Sequence, residues 1–374
     1  MILLTPGPVN LSERVRQALQ RPDLSHRESE FFALQDQIRQ ALLRVYGLSP
    51  QAFATVLLTG SGTAAMEAMI TSLVPQEGRV LILENGVYGE RLCEIASIHQ
   101  IDHMRFAHPW GESIDLAALS RGLAETNGFT HVAVVHHETT TGRLNNLTAI
   151  GELCRGRGIP LLVDAVSSFG AEALDFEALD IAGCAATANK CLHGVPGASF
   201  VIVRRNALLG VNGPRRSLYL DLERYCRAQD TGDTPYTQSV QAFYALAEAL
   251  GEFEDEGGWR ARHARYKTLA ETVRSGLEDL GIVPLLPEKV SSVVLNAFYL
   301  PEGIDYDTFH DALKERGFVV YAGQGEFARR IFRVSPMGAI THEDMGRFLS
   351  AVECAMAEHG GPLGKPGAVD AAAD

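Results

Sequence analysis

The chain has 374 residues, enough at roughly 100–200 residues per domain for two domains that each bury a core. Apolar residues make up 46% and charged residues 21%, which argues against a disordered or fibrous chain. The 33 Lys and Arg stand against 46 Asp and Glu, and the net charge of −13 argues against a polyanion such as nucleic acid as the main partner.

The opening MILLTPGPVN carries no basic leader and meets a proline at Pro6. No apolar run approaches the ~20 residues of a membrane helix, so a cytoplasmic protein without membrane contact is expected. The six cysteines form no CxxC pair, and neither a zinc site nor a disulfide framework is expected; most read as buried thiols. From residue 52 to about 205, apolar β-rich runs alternate with helical patterns. The runs are AFATVLLT (52–59), GRVLILE (78–84), THVAVVHHE (130–138), GIPLLVDAV (158–166) and GASFVIVRR (197–205). Strands of this kind separated by helices predict a largely parallel sheet covered on both faces, hence an α/β fold. Predicted helices include TAAMEAMITSL (63–73), DLAALSRGLAE (115–125) and LTAIGELCRGRG (147–158), the last closed by Gly158.

A second region opens after the acidic stretch ending in Gly257 and Gly258. It holds a long helical pattern (259–281), an alternating strand SSVVLNAFYL (291–300), a helix (306–317), two short strands (318–323 and 331–335) and a last helix, before which Thr341 and Asp344 have capping-box spacing. The boundaries expected are a leading segment 1–15, a large domain 16–255, a smaller α+β domain 256–360 and a fraying tail 361–374 rich in Gly, Ala and Pro.

In open α/β sheets ligands bind at the carboxyl ends of strands, so the residues ending each run matter most. The first run ends in Thr59-Gly60-Ser61-Gly62-Thr63 and opens a helix, a turn that offers backbone N–H groups and hydroxyls to a phosphate. The same turn fits the outline of a dinucleotide site, with Gly60, Gly62, Ala65 and then Glu84, so an NAD-dependent dehydrogenase stands as a distant alternative. Further on, LLVDAV delivers Asp164 to a strand end, and Lys190, beside Asn189, lies between two apolar runs. A carboxylate and an amine at a sheet edge that already carries a phosphate cradle match what pyridoxal 5'-phosphate requires, and a nicotinamide has no use for that pair. His136 and His137 next to Glu138 invite a metal reading, but neighbouring strand residues point to opposite faces, and no metal is expected. Cys191 reads as a buried structural thiol rather than a sulfur-transfer nucleophile.

The stretches LLTPGPVN (3–10), SHRESEF (25–31), TGSGTAAMEA (59–68), NGVYGER (85–91), HHETTTG (136–142), VDAVSSFG (163–170), NKCLHGVPGASFVI (189–202), SLYLDL (217–222) and FRVSP (332–336) together resemble the class V aminotransferases of pyridoxal phosphate fold type I, and within them the phosphonate branch. The resemblance implies a mainly parallel seven-stranded sheet and a homodimer with shared active sites. It implies that Lys190 is the Schiff-base lysine, that Asp164 partners the pyridinium nitrogen, and that Tyr88 stacks on the cofactor ring. Ser61, Gly62 and Thr63 would bind the phosphate, and Thr139 would approach the ring hydroxyl. Thr237, with Thr234 as the competing choice, would reach a phosphate across the dimer interface. Arg333 would bind the substrate's acid group, with His26 and Arg27 as further anion contacts. The activity implied is transfer of an amino group from a small aminophosphonate to pyruvate. Residues 230–235 depart from the aromatic and basic residues of that branch. A transaminase of alanine or serine with glyoxylate or pyruvate, and a pyridoxal phosphate lyase acting on a modified aminophosphonate, therefore stay open.

Overall fold

The computed structural model describes residues 1–126, 128–209 and 214–360. The segment 361–374, whose composition suggests a fraying tail, lies outside the described residues. Seven strands form the central sheet: β1 (Phe53–Gly60), β2 (Arg79–Glu84), β3 (Asp102–Ala107), β4 (Phe129–Val135), β5 (Leu161–Asp164), β6 (Ile181–Thr187) and β7 (Gly197–Arg204). Their order across the sheet is β1-β7-β6-β5-β4-β2-β3. Strand β7 runs antiparallel to β1 and β6, and every other pair is parallel. Alternate residues enter separate cores on the two faces, Phe53 and Leu57 on one side and Ala54, Val56 and Leu58 on the other.

Two of these strands escape a reading of apolar runs. Strand β3 is one edge of the sheet and mostly exposed, so its sequence DHMRFA carries no buried pattern. Strand β6 is buried throughout but built from IAGCAAT, whose Ala and Gly have weak strand preference. The small residues serve packing. A Cβ on Gly183 would fall 2.4 Å from Leu73 and 3.0 Å from Met69 of helix α2 (Gly62–Leu73), the helix that follows β1 as α1 (Ser29–Arg44) precedes it. The run expected over 130–138 also divides: β4 ends at Val135, the His136 N–H donates to the Asp164 carbonyl, and His137–Glu138 form a small hairpin with Arg143–Leu144.

Helix α3 (Val87–Ile98) follows β2, and helix α4 (Leu116–Glu125) is capped by Asp115, which accepts from the Ala117 and Ala118 N–H groups. Helix α5 (Leu147–Arg155) stops earlier than its sequence suggests, with Gly156 as C-cap; Gly158 lies beyond it at φ 66° and turns the chain toward β5. Helix α6 (Val240–Glu256) and helix α7 (Gly258–Asp279) meet at Gly257, whose φ of 105° an L side chain would resist. Beyond them, β8 (Asn296–Tyr299), β9 (Tyr321–Ala322) and β10 (Ile331–Val334) form an antiparallel sheet in the order β8-β10-β9, flanked by helix α8 (Tyr306–Glu315) and helix α9 (His342–Glu358). The Thr341–Asp344 capping box is present at the start of α9. Strand β8 is shorter than the run 291–300 because Ser292 and Val293 are used elsewhere, donating to the buried Glu172 carboxylate at 2.5 and 3.1 Å. Leu4 belongs to the same core as Phe298, Phe309 and Phe332, and Ile2–Leu3 pair in parallel with Phe318–Val319. The first residues are thereby anchored beside the small sheet, and the chain then passes the loop after β6.

Candidate active site

Asp164 ends β5 and is 3% exposed. Its Oδ1 accepts from the Val166 N–H at 2.9 Å. Burial pushes its carboxyl up to about 6, against the pull of Arg91 and Lys190. Lys190 stands on the loop after β6. Its Nζ donates to the Pro6 carbonyl, and Gly7 lies against its stem, where a Cβ would come within 2.9 Å of Cδ. Only glycine, here at φ 107°, lets the leading segment approach so closely. Burial lowers the Lys190 amine to about 8; Arg333 and Arg91 lower it further, while Cys191 and Asp164 oppose. Neighbouring Asn189 accepts from the Thr187 hydroxyl at 2.8 Å.

The lowered lysine carries a pH prediction. A neutral amine is the nucleophile toward an aldehyde, and its population rises with pH through the group's pKa. Covalent loading of the apoenzyme with pyridoxal phosphate, followed by stopped-flow absorbance, should speed up with pH and level off near pH 8. A rate still climbing about tenfold per pH unit toward pH 10 would show an unperturbed lysine.

At the end of β1, Ser61 is the N-cap of α2, and its hydroxyl makes no cap bond. The N–H groups of Gly62 and Thr63 have no acceptor among the described residues. A Cβ on Gly62 would fall 2.7 Å from Val166, which brings the helix start tightly against the Asp164 loop. Free N–H groups at a helix N-terminus beside two hydroxyls suit a phosphate, and the buried Asp164 and depressed Lys190 suit the rest of pyridoxal phosphate.

Tyr88 lies in the first turn of α3, half-buried, with the Arg91 guanidinium 4.7 Å from its ring centroid. Arg91 Nη1 also donates to the Thr63 hydroxyl at 3.4 Å, and its charge acts on Asp164 and Lys190. Sequence reasoning passed over this arginine, although it stands three positions after Tyr88 on the same helical face. Arg333, on β10, is 3% exposed. It donates through Nη1 to the Thr139 carbonyl at 2.9 Å and through Nε to the Ala322 carbonyl at 2.9 Å. Burial lowers its pKa, opposed by Tyr88, Tyr306 and Glu138, yet a guanidinium stays charged. Lys190, Asp164, Asn189, Tyr88, Thr139, Arg333 and the Ser61–Thr63 turn are thus brought together from six segments of the chain.

Three expected residues stand apart. Arg27 donates to Asp233 at 3.2 Å and to the Thr234 carbonyl, and half-buried His26 precedes it. Thr237 is exposed whereas Thr234 is fully buried. The loop carrying both threonines is tied to β1, where Thr59 Oγ donates to Gln238 at 2.8 Å and accepts from the Ser239 N–H at 2.9 Å.

The two histidines have different partners, His136 bonding the Ser168 hydroxyl at 3.0 Å and His137 the Ser167 carbonyl at 3.3 Å. Burial takes both down to about 4, so they are neutral near pH 7. Cys191 is buried, with Sγ 3.3 Å from the Ser167 carbonyl and 3.7 Å from Met337 Sδ. The dinucleotide reading fails on geometry. The turn at Gly60 ends an edge strand whose sheet neighbour is antiparallel, away from any reversal of parallel strand order. Glu84, which would have to meet a ribose, is 1% exposed and held by Arg105 at 2.8 Å.

The family described as aminotransferase class-V matches residues 10–345. The chain belongs to the class-V aminotransferases. It is 36% identical over 359 residues to the 2-aminoethylphosphonate–pyruvate transaminase of Vibrio cholerae, covering 95% of this chain and 97% of that one. Among solved structures it is similar to the pyridoxamine–pyruvate aminotransferase of Mesorhizobium loti, with TM-score 0.90, 28% identity and coverage of 97% and 93%. It is also similar to the alanine–glyoxylate aminotransferase of Nostoc sp., with TM-score 0.89, 30% identity and coverage of 95% of each chain. This class-V aminotransferase is therefore a transaminase of the fold type I architecture, and its family implies pyridoxal phosphate as cofactor. No helix among its described residues is long and apolar enough to cross a membrane.

Proposed function

We propose that this transaminase moves the amino group of 2-aminoethylphosphonate, or a close aminophosphonate, to pyruvate, giving phosphonoacetaldehyde and alanine. The observation that carries the reading is the grouping of Lys190 with Asp164 and Arg333, whose charges both act on its amine, in a chain 36% identical over nearly its whole length to a relative named for this reaction. When bound, pyridoxal phosphate supplies an electron sink for the bond broken at the amine-bearing carbon. Asp164 holds a negative charge in a dry site where it favours a proton on the group it faces. Lys190, with its lowered pKa, takes and returns a proton as general base and acid. Arg333 offers a planar fork that accepts a carboxylate in one half of the reaction and a phosphonate in the other.

Support for a shared dimer site comes from the second group of residues. Thr237 is exposed, the neighbouring Tyr236 hydroxyl donates at 2.6 Å to the carbonyl of Leu218, itself 70% exposed, and Tyr219 donates to the Thr59 carbonyl at 3.1 Å. In this reading Thr237, with His26 and Arg27, serves the neighbouring subunit's site, and Thr234, sealed inside its own chain, does not.

A second reading, alanine or serine with glyoxylate, is favoured by the likeness to the Nostoc enzyme at 30% identity. The test is a donor and acceptor screen with product analysis. Alanine formed from 2-aminoethylphosphonate and pyruvate supports the proposal. Turnover confined to alanine or serine with glyoxylate moves the assignment to the second reading, and aldehyde released well beyond one equivalent per site without any keto acid indicates a lyase.

A further inference from the structure

The helix that carries Tyr88 begins without a cap of its own. Its N-cap is Gly86, which has no side chain to satisfy the first N–H groups. Those groups are met instead by another segment. Thr140 Oγ1 accepts from the Val87 N–H at 3.1 Å, and Glu138 Oε2 accepts from the Tyr88 and Gly89 N–H groups at 3.2 and 3.4 Å. The other carboxylate oxygen of Glu138 accepts from the Thr140 hydroxyl at 2.6 Å and the Thr140 N–H at 3.2 Å. Glu138 is 0% exposed, and among the described residues no Lys, Arg or His lies within ion-pair distance. A buried carboxylate without a counter-ion is costly unless donors surround it, and here the donors include the positive end of a helix. Gly86 is the matching half of the contact, because a Cβ there would sit 2.3 Å from Glu138 Cδ and Cγ.

We propose that Glu138 is a positioning residue that fixes the first turn of α3, and through it the orientation of the Tyr88 ring. The inference rests on the reading of Tyr88 as the residue that stacks on the cofactor. Glutamine at 138 would keep the shape but could accept through one oxygen only, turning an NH2 toward N–H donors on the other side.

The experiment measures pyridoxal phosphate binding to the apoenzyme by fluorescence, with the induced circular dichroism of the bound chromophore, for E138Q, Y88L and the double variant. At pH 8 and above, where the Glu138 carboxyl that burial raises to about 7 is ionised, E138Q is expected to weaken binding about tenfold and to reduce the induced signal, as loss of a charged hydrogen-bond acceptor implies. The double variant should bind within about twofold of Y88L alone, because both act through one ring. Wild-type affinity and dichroism in E138Q beside a weakened Y88L, or losses that multiply in the double variant, would overturn the inference while leaving the reading of Tyr88 intact. Wild-type affinity in Y88L would remove that reading and the inference together. G86A, which forces Glu138 and the helix apart, is expected to behave as E138Q does and supplies the same cycle if E138Q fails to fold.

Discussion

Lys190→Ala is expected to lower transamination by ~10⁴-fold or more, since one group serves both as the anchoring amine and as the acid and base. The protein should remain folded. The lysine's surroundings work against its charge, lowering its pKa to about 8, and its amine is bound to a single carbonyl, that of Pro6. Alanine removes a poorly placed charge rather than a structural support. The measurement is steady-state alanine formation, together with circular dichroism and thermal unfolding. Normal turnover in the variant would overturn the assignment of Lys190, and with it the chemistry proposed for the site.

Asp164→Asn is expected to reduce kcat by roughly 10²–10³-fold, the loss typical when a preorganised charge partner leaves a dry site. Stability should respond differently. The folded carboxyl is raised from 3.8 to about 6, so at neutral pH the buried charge opposes folding by about 3 kcal/mol. That opposition is fully present above the folded pKa and disappears as the pH falls below the unfolded one. Asparagine keeps the bond from the Val166 N–H and relieves the charge, but it buries an NH2 that finds no ready acceptor, a cost of about 1–3 kcal/mol. The two terms nearly cancel, and the apoprotein's Tm should stay within a few degrees of the parent. A large fall in Tm with unchanged kcat would make Asp164 a structural residue.

These two residues differ in how openly the chain announces them. Asp164 ends an apolar strand, where the carboxyl-end rule for parallel sheets directs attention. Lys190 follows a strand of Ala, Gly and Cys that reads poorly as a strand, and it becomes conspicuous only through the flanking motif NKCLHGVPG. Arg91 and Glu138 both stand inside motifs, NGVYGER and HHETTTG, whose residue types do not reveal their contacts. Their meaning lies in contacts across 28 to 50 positions of sequence, from Arg91 to Thr63 and from Glu138 to Tyr88, that no local periodicity encodes. Residue type invites a metal reading of the run His136–Glu138, and the alternation of strand faces argues against it; burial and partners make the same three side chains two neutral imidazoles and a helix cap.

By itself, the sequence determined the α/β class, five of the seven central strands, the phosphate-suited turn at Ser61–Thr63 and the pairing of an acid with an amine. These follow from apolar runs, turn residues and side-chain chemistry, which are local properties. Tertiary structure alone decided that the Pro6–Gly7 segment closes over Lys190, that Arg333 reaches Thr139 from the small sheet, and that Thr237 faces outward while Thr234 is sealed. Each of these depends on which distant surfaces bury one another. That choice is made by the packing of whole layers, and no window of neighbouring residues contains it.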